Sequence, residues 1–155
     1  MLVRTVPHKR YEERSGIKVR VTISKKFRFD AAHFLPHHEG KCKNLHGHTW
    51  ELEVGISAPF EVVARDDRGM MADKGMVMDY AMLKEIVDST IIERLDHSDL
   101  NKIWLNPTSE IICQEIFSRL SRALIGSGFI EERNGRLEFV SLKETPDSMC
   151  VVRWD

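Results

Sequence analysis

The chain has 155 residues, 42% apolar and 30% charged, which suits one globular domain with a single core and excludes a multidomain organisation. Its 23 Lys and Arg against 24 Asp and Glu leave a formal charge of -1, so no basic excess points to nucleic acid or to an anionic membrane surface. Three cysteines, Cys42, Cys113 and Cys150, are too sparse and too odd in number for a disulfide framework and fit a reducing, cytoplasmic compartment.

Residues 1–17 are charged, carry no apolar run of the kind a secretory leader needs, and end beside Gly16. They read as an N-terminal extension to one domain over residues 18–155. Residues 18–29, KVRVTISKKFRF, put Val19, Val21, Ile23, Phe27 and Phe29 on one face at period two, which predicts a strand. Residues 46–57, HGHTWELEVGIS, repeat the pattern on even positions, so His46, His48, Trp50, Leu52, Val54 and Ile56 share a face of a second strand. Residues 57–75 read as a loop excursion. A helix capped by Asp79 follows, with Tyr80, Leu83, Ile86, Val87, Ile91 and Leu95 at helical spacing. A second helix begins at NPTSE, with Pro107 suited to its first turn and Asn106 or Thr108 as cap, and carries Ile112, Ile116, Leu120 and Leu124 until Gly126 and Gly128. Two last runs, Leu137–Lys143 and Met149–Trp154, flank the turn ETPDS as a hairpin. The order ββααββ implies an α+β domain, a four-stranded antiparallel sheet covered on one face by two helices. Its open edges invite association with further copies of the chain.

Five of the seven histidines, His33, His37, His38, His46 and His48, fall within sixteen positions. His46 and His48 are two apart on a strand, so their imidazoles leave the same face with Cα atoms roughly 6.5 to 7 Å apart. If the register of the first strand persists through FRFDAAH, His33 shares its inward face and a neighbouring strand brings it beside the pair. Three neutral nitrogen ligands without thiolate or carboxylate match catalytic zinc, which keeps one position open, whereas a structural site is closed.

Cys42 lies in a polar loop between Lys41 and Lys43, and positive charge nearby raises the thiolate fraction available for proton transfer. Cys113 and Cys150 fall on a helix and a strand and read as packing residues. In LDHSDLN, Asp96 can orient His97 as a proton relay, with Asp99 a competing partner. Glu144, ahead of the turn, offers two acceptor oxygens to an amidine-like edge of a heterocycle.

Taken in order, FDAAH, Cys42-x-x-x-His46-Gly47-His48, MDYAMLK, LDHSDLN, NPTSE and KET resemble the 6-pyruvoyltetrahydropterin synthase family from about Phe27 to Trp154. The three-residue spacer between Cys42 and His46 is most like that of its 6-carboxytetrahydropterin synthase branch, which serves queuosine biosynthesis. The resemblance implies a T-fold (tunnelling fold), whose sheets join into a barrel by oligomerisation, commonly a homohexamer made as a dimer of trimers. It implies Zn2+ on His33, His46 and His48, with Cys42, Asp96 and His97 catalytic. It further implies that Glu144 anchors the 2-amino and N3 edge of a pterin and that Thr108 and Ser109 line its pocket. The implied reaction converts 7,8-dihydroneopterin triphosphate to 6-carboxy-5,6,7,8-tetrahydropterin, releasing acetaldehyde and triphosphate. The alternatives are 6-pyruvoyltetrahydropterin formation without side-chain cleavage and a non-catalytic zinc-binding scaffold.

Overall fold

A computed structural model describes residues 17–62 and 75–155. The expected N-terminal extension lies outside the described residues except for Ile17, as do residues 63–74 of the expected loop.

The first strand, β1 (Ile17–His33), pairs antiparallel with β2 (His46–Val62), from Ile17 opposite Val62 to His33 opposite His46. Both are longer than their periodic cores predict. Residues 57–62 continue β2 rather than leaving it, because Ala58 lies opposite Val21 and keeps the inward alternation. Phe27, Phe29 and Ala31 of β1 and Trp50, Leu52, Val54 and Ile56 of β2 are all buried, and Phe29 lies opposite Trp50 with the rings stacked at 6.1 Å.

The first helical pattern is divided into α1 (Tyr80–Val87), a π turn (Asp88–Ile92) and the short α2 (Glu93–Leu95), with Asp79 capping through the amide of Ala81. Leu83, Val87, Ile91 and Leu95 still face inward across the π turn, which absorbs an extra residue without losing the apolar stripe. The chain then makes the two-residue strand β3 (Ser98–Asp99), parallel to β1 at Ala31 and Ala32, and a 3-10 turn (Leu100–Lys102). Next comes α3 (Ser109–Gly126), capped by Thr108, whose hydroxyl accepts from the amide of Ile111. Pro107 thus precedes the cap instead of opening the helix. Gly128, at φ 79°, ends this segment and leads into a short α4 (Phe129–Arg133). The chain closes with β4 (Arg136–Thr145) and β5 (Ser148–Arg153), leaving Trp154 outside the strand.

The sheet order is β3-β1-β2-β4-β5. The expected four antiparallel strands are present, and β3 adds a fifth, parallel one that two residues are too few to announce by periodicity. The helices lie on one face, where Ile112, Ile116, Leu120 and Leu124 of α3 join the buried residues of the strands in one core. Among the described residues no helix is long and apolar enough to cross a membrane.

The C-terminal end of β1 is held by a side chain from the 3-10 turn. Asn101 accepts from the amide of Phe34 at 2.8 Å and donates to its carbonyl at 2.9 Å, standing in for the strand partner the backbone lacks there. Replacing Asn101 with Ala orphans both groups and is expected to cost about 1 to 3 kcal/mol. The urea midpoint of the variant measures this, and an unchanged midpoint contradicts it.

Candidate metal centre and relay

Because β1 and β2 run antiparallel in this register, His33 faces His46 directly and Ala31 faces His48, so the three imidazoles emerge together on the helix-covered face. Their ring centroids lie 4.6, 5.3 and 4.9 Å apart for the pairs 33–46, 33–48 and 46–48. The rings of His33 and His48 stand edge to face on the fully buried indole of Trp50, at 5.2 and 5.5 Å. Two Nδ1 atoms bind backbone carbonyls, His33 to Pro107 at 2.9 Å and His46 to Asn44 at 2.7 Å. A hydrogen bond at Nδ1 fixes the ring and leaves Nε2 for another partner. The partner of His33 is the NPTSE segment, whose packing against the site was not legible from the residues alone.

The Nε2 atoms of His33 and His48 are buried and make no hydrogen bond. Glu144 Oε1 lies 3.0 and 3.3 Å from them without forming a hydrogen bond. Ligand atoms of His33, His46, His48 and Glu144 all fall within 4.8 Å of one another, an arrangement that can hold a metal ion. Buried nitrogens without a proton partner and a carboxylate converging on the same point fit a divalent cation with nitrogen and oxygen ligands. The structure therefore brings Glu144, expected at the edge of a heterocycle, onto the imidazoles. The parity of Val140, Leu142 and Glu144 is the sequence signal for this, since the first two are buried on the same face.

His48 is pushed below its ordinary pKa, first by burial and then by His33 and His46, while Glu144 pulls the other way. A depressed pKa keeps the imidazole neutral, the state in which it binds metal.

The second cluster is Asp30, Asp96 and His97. Asp96 Oδ2 lies 2.9 Å from His97 Nδ1, which settles the choice against Asp99, whose carboxylate instead accepts from the amide of Asn101. Both residues of the pair are tied to the main chain of Asp30: its amide donates to Asp96 Oδ1 at 2.9 Å and its carbonyl accepts from the amide of His97 at 2.6 Å. The Asp30 side chain in turn accepts from the Thr49 hydroxyl at 2.5 Å. Those bonds hold His97 at φ 56°, a left-handed conformation that a non-glycine residue adopts only under constraint. The amide of Asp30, and next the His97 side chain, keep the Asp96 carboxyl below the usual range. His97 itself is 79% exposed.

Cys42 is half-buried in a 3-10 turn (Lys41–Lys43), and its carbonyl accepts from the amide of Leu35. Among the described residues no hydrogen bond joins its thiol to the imidazoles, Asp96 or His97. Thr108 serves as a helix cap, and Ser109 contacts Glu110, whose carboxyl is lowered mainly by its own backbone amide and by Thr108. His38 accepts from the amide of Gly40 within its turn, and His8 lies outside the described residues. Cys113 is fully buried, and burial, with Cys150 beside it, pushes its thiol up to about 12.

Against this geometry, residues 22–155 match the family described as 6-pyruvoyl tetrahydropterin synthase. The chain belongs to that family. A Synechocystis sp. relative named 6-carboxy-5,6,7,8-tetrahydropterin synthase is 44% identical over 105 residues, covering 65% of this chain and 75% of its own. A Pyrococcus furiosus relative named dihydroneopterin monophosphate aldolase is 40% identical over 98 residues, covering 63% and 73%. The structure of Caenorhabditis elegans 6-pyruvoyl tetrahydropterin synthase superposes with a TM-score of 0.65 at 26% identity, covering 88% of this chain and 97% of that one. This family member therefore shares the family's fold with a synthase of low sequence identity.

Two outcomes follow. At pH about 8 a thiol with a pKa near 12 is thiolate in roughly one molecule in ten thousand, so iodoacetamide should spare Cys113 in the native protein and modify it after unfolding, as read by peptide mass. For the metal-free protein, the unfolded chain takes up a proton at His48 near pH 6.5 and the folded chain only at lower pH. Stability therefore falls as pH drops below 6.5 toward the folded pKa, and a His48→Asn variant should show a flatter melting temperature over that range.

Proposed function

We propose that this protein is a zinc enzyme that converts 7,8-dihydroneopterin triphosphate and water to 6-carboxy-5,6,7,8-tetrahydropterin, acetaldehyde and triphosphate, a step of queuosine biosynthesis. The observation that carries the reading is the convergence of His33, His46, His48 and Glu144 in a chain of this family. The 44% identity to a carboxy-forming relative and the short spacer from Cys42 to His46 support the product.

His33, His46 and His48 would hold the metal, whose bound form polarises the side-chain oxygens of the substrate and stabilises enolate-like charge. The thiolate of Cys42 acts as the base at C1' of the side chain. His97, oriented by Asp96, moves the second proton. A pterin whose side chain lies at the imidazoles extends its ring away from them, so Glu144 sits at the side-chain end. Within the segment of Thr108 and Ser109, the carboxylate suited to the 2-amino and N3 edge is then Glu110, kept ionised by its own amide and by Thr108.

The absence, among the described residues, of a hydrogen bond between Cys42 and the solvent-exposed His97 supports a site completed by a second copy. So do the open outer edge of β5 and the exposed apolar side chains of Leu45, Leu105 and Met149, Leu105 being 93% exposed. In this reading the sheets join as a T-fold barrel, two trimeric rings forming a homohexamer in the cytoplasm.

The Pyrococcus furiosus relative favours a second reading, cleavage of a monophosphate substrate. Incubating the zinc-loaded protein separately with the triphosphate and the monophosphate and identifying products by mass decides between them. Acetaldehyde with the 6-carboxy product is expected from the triphosphate. A 6-pyruvoyl product, or turnover of the monophosphate alone, overturns the choice. Cys42→Ala should lose turnover by at least about 100-fold while retaining zinc; unchanged turnover would indicate that Cys42 is not the base, and no turnover in any protein would favour a scaffold.

A further inference from the structure

Three consecutive residues at the end of β1 each bind a different part of the chain. His33 Nδ1 is held by the carbonyl of Pro107, Phe34 by the side chain of Asn101, and the amide of Leu35 donates to the carbonyl of Cys42 at 2.8 Å. That last bond crosses the loop between β1 and β2. Among the described residues, the other main-chain hydrogen bonds within the loop are local, joining His38 to Leu35, Lys43 to Gly40 and Asn44 to Lys41. The turn that carries the thiol is thus tied back to β1 at Leu35, beside the residue that Asn101 grips.

Asn101 is itself well anchored. It follows the fully buried Leu100, and its amide donates to Asp99 Oδ1 at 3.1 Å. The segment from Asp96 to Asn101 lies along the segment from Asp30 to Phe34 as a splint. Asp96 and His97 are bound to Asp30, Ser98 and Asp99 pair with Ala31 and Ala32, and Asn101 closes the far end on Phe34. Both ladders of β1 stop short of Phe34, so its amide and carbonyl have no strand partner. One side chain satisfies the two groups because a carboxamide presents an acceptor and a donor together, whereas a carboxylate of the same size only accepts.

We infer that Asn101 is a positioning residue for Cys42: by fixing both peptide groups of Phe34 it sets the path of Leu35 and, through the bond from Leu35 to Cys42, the placement of the thiol relative to His33. The inference rests on the reading of Cys42 as the base and adds the element that aims it. Asn101 touches no substrate in this reading and reaches the chemistry only through the loop. Misplacing a reacting group by about 1 Å costs rate while leaving substrate contacts in place, so the loss belongs to kcat and not to KM.

The test uses the full zinc-loaded chain. In Asn101→Ala, kcat on 7,8-dihydroneopterin triphosphate should fall roughly 10- to 100-fold with KM and zinc content little changed. Asn101→Asp keeps the acceptor for the Phe34 amide and loses the donor, and should fall between that variant and wild type. The half-buried Cys42 thiol should react severalfold faster with iodoacetamide in Asn101→Ala than in wild type, as read by peptide mass. Asp79→Ala, which removes the cap of α1, should lose stability yet keep wild-type kcat and labelling, which separates positioning from a general loss of stability. Adding Asn101→Ala to Cys42→Ala should slow the enzyme no further than Cys42→Ala alone, because a residue that acts through Cys42 has nothing left to aim. Additive losses in the double variant, or wild-type kcat and labelling in Asn101→Ala, overturn the inference. If wild type shows no turnover, the reading of the reaction fails and labelling alone decides: a faster rate supports the hold of Asn101 on the Cys42 loop, and an unchanged rate refutes it. Should Asn101→Ala not fold, Asn101→Asp carries the same comparisons.

Discussion

The register of β1 against β2 is the constraint on which the site depends. Side chains alternate across a strand, so a slip of one residue would turn His33 away from His46 and send Phe27 and Phe29 to the outer face. The same ladder that buries Trp50, Leu52 and Val54 therefore selects the histidine geometry. The core enforces the metal centre because both are written in one alternation. Trp50 joins the two tasks in a single residue, its indole filling the core while its faces and edges support His33 and His48.

The relay is fixed by other means. Asp96 and His97 follow a π turn and reach β1 only at its edge, where they bind the main chain of Asp30 and not its side chain. Backbone attachment tolerates variation at position 30 more readily than side-chain attachment, and it places the imidazole relative to the strand that carries His33. The candidate metal centre and the Asp96–His97 pair are thus two clusters referred to one ruler, β1, with the two residues between Asp30 and His33 as the scale.

Much of this was legible in the chain. Period two over residues 18–29 and 46–57 gave the central pair of strands and put His33, His46 and His48 on a common face; Asp79 and Thr108 announced their helices by ordinary capping chemistry. What escaped has a common cause. The bulge at Glu144, the π turn over Asp88–Ile92 and the two-residue β3 are departures from periodicity, and a pattern method sees only the period. The carbonyl of Pro107, the Asn101 bridge and the Asp30 backbone contacts join segments more than 60 residues apart in sequence, as separations of 74, 67 and 66 residues show, and no local signal encodes them.

His97 carries a cost that bears on how such a protein can change. At φ 56° the backbone there favours glycine, yet glycine is the one residue that would delete the imidazole outright. Relaxing that strain and keeping the imidazole beside Asp96 are opposed at this position. Screening variants for thermal tolerance alone would therefore reward His97→Gly, and the imidazole that pairs with Asp96 would be lost by one substitution.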